Sequence, residues 1–264
     1  MNIHFTDKEL FEKLKSATLA KVVVGSHMYG TQNIFGDNTS DIDYLHIYAT
    51  SNNELNTVFN THHQLQYKED GIDYNFVSLH TFIKNILNGD STINFEVVQS
   101  DELIGTDLEW LRMFKDDFIT YTMIKSYNGF CKRDLKHFHK AKTEYDRFKR
   151  FGHIIRGFLY SRDMLYSQWD FKVVNDELKE ILKDLTIDNT LIETYTNLTN
   201  NIRTELNKRL ENKTLGYAQH FHPVKGVILN EYLQEFCKSD IFIAKQFDLD
   251  ITMYITSYEN WVTY

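Results

Sequence analysis

Asp41 and Asp43 stand one residue apart at the head of the apolar run "DIDYLHIYAT", and Asp73 opens a second such run, "GIDYNFVSL". In an extended strand alternate side chains share a face, so Asp41 and Asp43 point the same way, roughly 6.5–7 Å apart. Leu45 and Ile47 continue that face, while Ile42, Tyr44, His46 and Tyr48 take the other. Two ionised carboxylates in a half-buried strand repel each other and lose hydration, which is costly unless solvent, a base or a metal compensates. Magnesium answers that need, because it is a hard cation held by a few carboxylates together with substrate phosphates. If the two runs lie side by side, Asp73 completes a three-carboxylate set able to serve two metal ions in phosphoryl chemistry. Taken alone, a D-x-D pair more commonly marks a strand end or a surface. Asp73 alone reads as a turn residue after Gly71.

A second chemical feature precedes the pair. Gly25-Ser26 ends the apolar stretch "KVVVG", and Gly30 follows shortly after. Glycine lets a phosphate approach the backbone closely, and a serine hydroxyl with nearby N–H groups can bind its oxygens. On its own a Gly-Ser turn after a strand is common.

The elements that must hold these residues can be read on either side. Residues 6–18 read as a helix, with Thr6 as N-cap, Glu9 completing a capping box, and Leu10, Phe11 and Leu14 on one face. "KVVVG", "DIDYLHIYAT" and residues 71–79 read as strands, and residues 31–40 as a loop. A helix runs from about Leu79 to Leu87 and breaks at "NGD". From about Asp107 apolar residues recur at helical spacing, as in Phe148, Phe151, Ile155, Phe158, Leu159 and Met164. The expected organisation is α+β: an α/β domain over 1–106, then a mostly helical domain over 107–264.

The chain has 264 residues, ample for a large core, with 42% hydrophobic, 25% charged and 14% aromatic residues. A formal net charge of -8 leaves no global basic field for nucleic acid. Cys131 and Cys237 are too distant in sequence for a zinc knuckle or a redox C-x-x-C, and read as buried thiols in a reducing compartment. The N-terminus lacks an apolar signal core, and no run reaches the roughly 18 apolar residues of a membrane span. The expectation is a cytoplasmic protein without a membrane partner. His62-His63, His80, and His220 with His222 are not at metal-binding spacing and read as structural or surface residues.

In combination the motifs are more specific. The block "GSHMYGT", a polar loop, "SDIDYLHIY" and the later Asp73 strand resemble the nucleotidyltransferase domain of the DNA polymerase β superfamily. More narrowly, they are similar to the RNA-repair-associated group of that superfamily (RlaP/YcgL-like). Residues 72–98 resemble that group's third-Asp strand and following helices, with Glu96 kept and the usual Asn-Pro replaced by Asp90-Ser91. "KRFGHIIR" is similar to a later basic helix, so the resemblance covers roughly residues 20–165. It implies a polymerase-β-type domain, a small mixed sheet with flanking helices, ahead of a helical domain. Gly25 and Ser26 would hold a triphosphate, with His27 and Tyr29 lining the pocket. Asp41, Asp43 and Asp73 would bind two Mg²⁺ ions, and Asp73 would help deprotonate an incoming hydroxyl.

The segment "CKRDLKHFHKAKTEYDRFKRFGHIIRGFLYSR" concentrates bases in an otherwise acidic chain. Lys149, His153 and Arg156 share one helical face, and Gly157 permits close approach to a backbone or a ligand. A solvated face partly neutralised by Glu144, Asp146 and Asp163 is the plain alternative. The resemblance instead implies that these three contact triphosphate or nucleic acid. It implies a nucleotidyltransferase using an NTP, with ATP the expected one, and an RNA end, such as that of tRNA, as acceptor. Transfer of AMP to a protein side chain, or nucleotide binding without turnover, are the other readings the sequence allows.

Overall fold

The computed structural model of the protein describes residues 2–32, 34, 41–49, 64–183, 185–212 and 223–239. Five strands form one mixed sheet: β1 (Asn2–His4), β2 (Thr18–Val24), β3 (Ile42–Tyr48), β4 (Gln64–Glu69) and β5 (Ile72–Ser78), in the order β1-β4-β5-β3-β2. β3 and β5 run parallel in register Asp43↔Asp73, and β2 pairs antiparallel to β3 with Val24 opposite Asp43. β1 runs parallel to β4. The pattern of apolar residues predicts neither β1 nor β4.

β4 and β5 form a hairpin whose two loop residues, Asp70 and Gly71, both take positive φ, 51° and 77°. An Asp-Gly pair is suited to that mirror-image turn, whose twist matches the flanking strands. It fixes the register in which Lys68 lies opposite Asp73.

Helix α1 (Lys8–Ser16) covers one face of the sheet, where Phe5, Leu10, Phe11, Leu14, Tyr48, Leu65 and Phe76 form a small core. Its cap lies one residue later than the capping-box pattern predicts. Asp7 accepts from the Leu10 N–H at 3.0 Å, and its charge also suits a helix start. A short turn of helix, α2 (Ser26–Tyr29), follows β2. The opposite face is covered by α3 (Leu79–Asn88) and α4 (Thr92–Gln99), capped by Ser78 and Ser91. Ser91 thus starts α4 by a side-chain cap.

Beyond a 3-10 turn at Glu109–Phe114 the described chain is helical: α5 (Tyr121–Phe138), α6 (Glu144–Leu165), α7 (Phe171–Lys183), α8 (Asn189–Glu211) and α9 (Pro223–Cys237). Thr120, Thr143 and Asp188 cap α5, α6 and α8. The last described strand ends at Ser78, and the apolar core runs from the sheet into these helices. Val22, Leu45 and Val77 from the sheet belong to one buried cluster with Ile154, Leu178 and Leu206 from the helices. Gly157 sits where α6 meets α5: a Cβ there would lie 2.6 Å from the Cys131 sulfur. That glycine serves helix packing. Cys131 is fully buried, and burial pushes its thiol up to about 12; Cys237 is half-buried. No helix among the described residues is long and apolar enough to cross a membrane. Most of the 31–40 loop, His62-His63, His220 and His222 lie outside the described residues.

His46 illustrates how the sheet's second face is tuned. It is buried against the rings of Phe76 and Tyr74, and burial, aided by Lys21 and Lys15, lowers it from 6.5 to about 4. The unfolded chain therefore takes up this proton first, and stability is lost as pH falls from about 6.5 towards 4. Between pH 7 and 4.5 that loss amounts to about 2–3 kcal/mol. Urea unfolding should show that His46→Phe removes this part of the pH dependence.

Candidate functional site

The order β5-β3-β2 brings the sequence-predicted residues to one end of the sheet. Asp43 lies between Val24 of β2 and Asp73 of β5, and neighbouring strands are about 4.8 Å apart. Gly25 follows directly with φ 71° and ψ -147°, a backbone shape that side chains disfavour. A Cβ there would also lie 3.0 Å from the Asp43 Oδ2. Glycine is required at this position on both counts.

Asp43 is partly buried, and its carboxyl is raised, first by burial and then by Asp73, with Lys149 opposing and Asp41 adding to the rise. The carboxylates thus crowd one another without full compensation. The partial remedy is a residue the sequence reading missed. Lys68 of β4 places its ammonium 3.2 Å from the Asp41 Oδ2 and 3.1 Å from the Asp73 Oδ1. The signal for it lay in the Asp-Gly turn, which sets Lys68 opposite Asp73. Among the described residues no three His, Cys, Asp or Glu side chains are gathered closely enough to hold one metal ion. The donor chemistry nevertheless fits a hard divalent cation, since all three groups are carboxylates and Asp43 and Asp73 lie side by side with charge to spare.

A cavity of about 1060 Å³ opens over this end of the sheet. Gly25, Ser26, Tyr29, Asp41, Asp43 and Asp73 line it, and so do Lys149, His153 and Arg156. Of the predicted site residues, His27 alone is not part of the lining; its Nδ1 is buried with no hydrogen-bond partner among the described residues. The cavity has an acidic end on the sheet and a basic wall on α5 and α6.

Tyr29 and Arg156 line this cavity but already have structural partners. Tyr29 donates its hydroxyl to Oε2 of the fully buried Glu96, and Tyr127 donates to Oε1 at 2.7 Å. Burial, foremost, raises both phenols well above their usual range, so they remain donors. The Arg156 guanidinium lies 4.2 Å from the centre of the Tyr29 ring and 5.4 Å from that of Phe130. The buried Glu96 carboxyl group lies within electrostatic reach of this guanidinium. This strut ties the Gly-Ser turn to α4, α5 and α6.

Asp134 of α5 is the second residue missed in the sequence. It is buried, with the His153 Nδ1 3.3 Å from its Oδ2, and Arg133 Nε at 3.8 Å and Arg150 Nη1 at 3.9 Å from its Oδ1. Burial alone would raise this carboxyl, but His153, Arg133 and Arg150 outweigh it and hold it below its usual value. Burial lowers His153, which opposes its charging. The pairing of α5 with α6 brings these residues together, and sequence spacing within either helix does not reveal it.

No family of known proteins matches the sequence, and no curated protein is detectably similar to it. Among solved structures the chain is similar to a nucleotidyltransferase-like protein from Exiguobacterium sibiricum. The identity is 9%, the TM-score 0.28, and the match covers 94% of this chain and 88% of that one. A likeness this slight assigns neither fold nor activity.

Proposed function

We propose that this protein is a Mg²⁺-dependent nucleotidyltransferase that moves a nucleoside monophosphate from an NTP, with ATP the expected donor, to an acceptor hydroxyl, releasing pyrophosphate. The supporting observation is the pairing of Asp43 with Asp73 beside a glycine that only just clears Asp43, at the mouth of a cavity whose other wall is basic. The assignment to the polymerase β superfamily and its RNA-repair-associated group belongs to this proposal and rests on the motif residues.

In this reading Gly25 and Ser26 let the triphosphate approach the backbone, and Asp43 and Asp73 would hold the metal, with Asp41 drawn in once Lys68 has left. When bound, two Mg²⁺ ions supply activation of the attacking oxygen and neutralisation of the leaving pyrophosphate. Asp73 accepts the proton of the acceptor hydroxyl as that oxygen bonds to the α-phosphorus and the bond to pyrophosphate breaks. Lys149 balances charge on the leaving group from across the cavity, and the Tyr29–Glu96–Arg156 strut keeps the Gly-Ser turn in place. An RNA 3′ end is the acceptor this reading favours, consistent with the basic wall. Incubation with labelled NTPs and tRNA tests it: label on RNA with pyrophosphate release supports the reading. Label on a partner protein instead moves the acceptor to a side chain, as the acidic chain as a whole would suit. NTP binding without release over a wide acceptor panel reduces the protein to a nucleotide-binding module.

Lys68 must leave Asp41 and Asp73 for the metal to enter. Both ion pairs are exposed and therefore weak, so Lys68→Met should tighten Mn²⁺ binding only modestly, roughly 3- to 10-fold. Titration followed by electron paramagnetic resonance reads this directly. Unchanged or weaker Mn²⁺ binding would show that Lys68 does not compete for the carboxylates.

A further inference from the structure

The cavity, at about 1060 Å³, lies at the upper end of what one small ligand occupies. Its basic wall has an internal organisation that a triphosphate site on the sheet does not require. Asp134, 3% exposed, gathers Arg133 from its own helix with Arg150 and His153 from α6. One carboxylate cannot neutralise two guanidiniums, so the cluster keeps a net positive charge with His153 neutral, and Lys149 adds another. All of these residues line the cavity. The cavity's other carboxylates are the three on the sheet and Asp90, beside the start of α4. Aromatic faces accompany the cations. Arg133 lies 4.8 Å from the centre of the Phe130 ring, His153 packs against the same ring at 5.8 Å, and Tyr145 lines the cavity nearby.

We infer that the Arg133–Arg150–Asp134–His153 cluster is a second anion subsite, which holds a backbone phosphate of a single-stranded nucleic acid whose terminal hydroxyl is the acceptor. Guanidiniums suit phosphate because their planar fork makes paired, charge-assisted hydrogen bonds. Phe130 and Tyr145 offer stacking surface to bases without selecting a sequence. Asp134 is a positioning residue, holding the bases of two helices at fixed spacing. This subsite explains how an acidic chain engages a polyanion: the positive charge is confined to one cavity wall. The inference rests on the nucleotidyltransferase reading, which it extends to the acceptor.

The test measures two affinities separately in the full chain with Mg²⁺. Calorimetry follows a non-hydrolysable ATP analogue, and fluorescence anisotropy follows a labelled single-stranded oligoribonucleotide with a free 3′ hydroxyl. The double variant Arg133→Ala/Arg150→Ala should bind the oligonucleotide at least 10-fold more weakly and the analogue within 2-fold of wild type. Its slope of log affinity against log salt should fall by about 0.7, the equivalent of one phosphate no longer neutralised. Arg133→Lys/Arg150→Lys should restore most of the salt slope and only part of the affinity. Unchanged oligonucleotide affinity overturns the subsite. An equal loss of the analogue reassigns the cluster to the triphosphate and also overturns it. If 3′-AMP binds as tightly as the oligonucleotide, with the same dependence on the two arginines, the ligand is a small phosphate ester and the polynucleotide is ruled out. Wild type that binds the analogue but no oligonucleotide sinks the inference alone. Wild type that binds the oligonucleotide but not the analogue sinks the nucleotidyltransferase reading and leaves the subsite standing.

Discussion

Asp43→Asn should slow transfer severely while making the metal-free protein more stable. Losing a carboxylate that holds the metal should lower turnover about 10³-fold, because several kcal/mol of charge stabilisation is lost in the transition state. The stability gain has the opposite origin. Asp43 is raised by burial and by Asp73, so in the fold its charged form is penalised at neutral pH. For such a group the folded state holds the proton more tightly than the unfolded chain. Stability therefore increases as pH falls through the raised value towards the ordinary range near 3.8, and at pH 7 the penalty is fully present. The asparagine removes the penalty and flattens that dependence. Mg²⁺ should raise the melting temperature of wild type by binding the native state and leave that of the variant almost unchanged. Melting curves at pH 7 with and without Mg²⁺ on the order of 10 mM, about 100 times a sub-millimolar Kd, would read the shift. A variant that melts lower than wild type in the absence of metal would contradict this account.

The second large effect concerns Glu96, which carries no chemistry in the proposed reaction. Its carboxyl group is fully buried between the Tyr29 and Tyr127 hydroxyls, within electrostatic reach of the buried Arg156 guanidinium that stacks on the Tyr29 ring. Glu96→Leu leaves the guanidinium without a counter-charge and two phenols without acceptors. Removing one partner of a buried pair costs about 3–5 kcal/mol. Adding Arg156→Leu should recover a good part of that loss, since an apolar replacement of both charges avoids the unpaired one. Urea denaturation of the two single variants and the double measures the coupling. If the double variant is no more stable than Glu96→Leu alone, Glu96 and Arg156 are not charge partners.

The site was legible in the sequence where chemistry is local and obscure where it is assembled. Asp41, Asp43 and Asp73 stand out in combination with the Gly-Ser turn, because a carboxylate in an apolar run is costly to bury. Gly25 does so because it ends a strand. Their side-by-side placement required β3 and β5 to be parallel neighbours, as the structure has them. Lys68 was missed because β4 was missed: "QLQYKE" has too little apolar alternation to declare a strand, although the Asp-Gly turn after it is a strong hairpin mark. Glu96 and Tyr29 are 67 residues apart and meet only through packing. Asp134 read as one charge in a charged helix, and only the α5–α6 contact makes it the hub of three bases. The helical half was visible as periodicity. That its core is continuous with the sheet's was not, because the pattern of apolar residues does not say which faces meet.

The Asp70–Gly71 turn has a consequence for how such a site can change over evolutionary time. Substitutions at a position alter a side chain by degrees, but the pairing of two strands shifts only in whole residues. Deleting one residue from this turn would send either Lys68 or Asp73 to the opposite side of the sheet, away from Asp43. Variation here is therefore discrete. Lineages descended from this chain can vary what flanks the turn, but its length is tied to whether Lys68 and Asp73 keep to the same face.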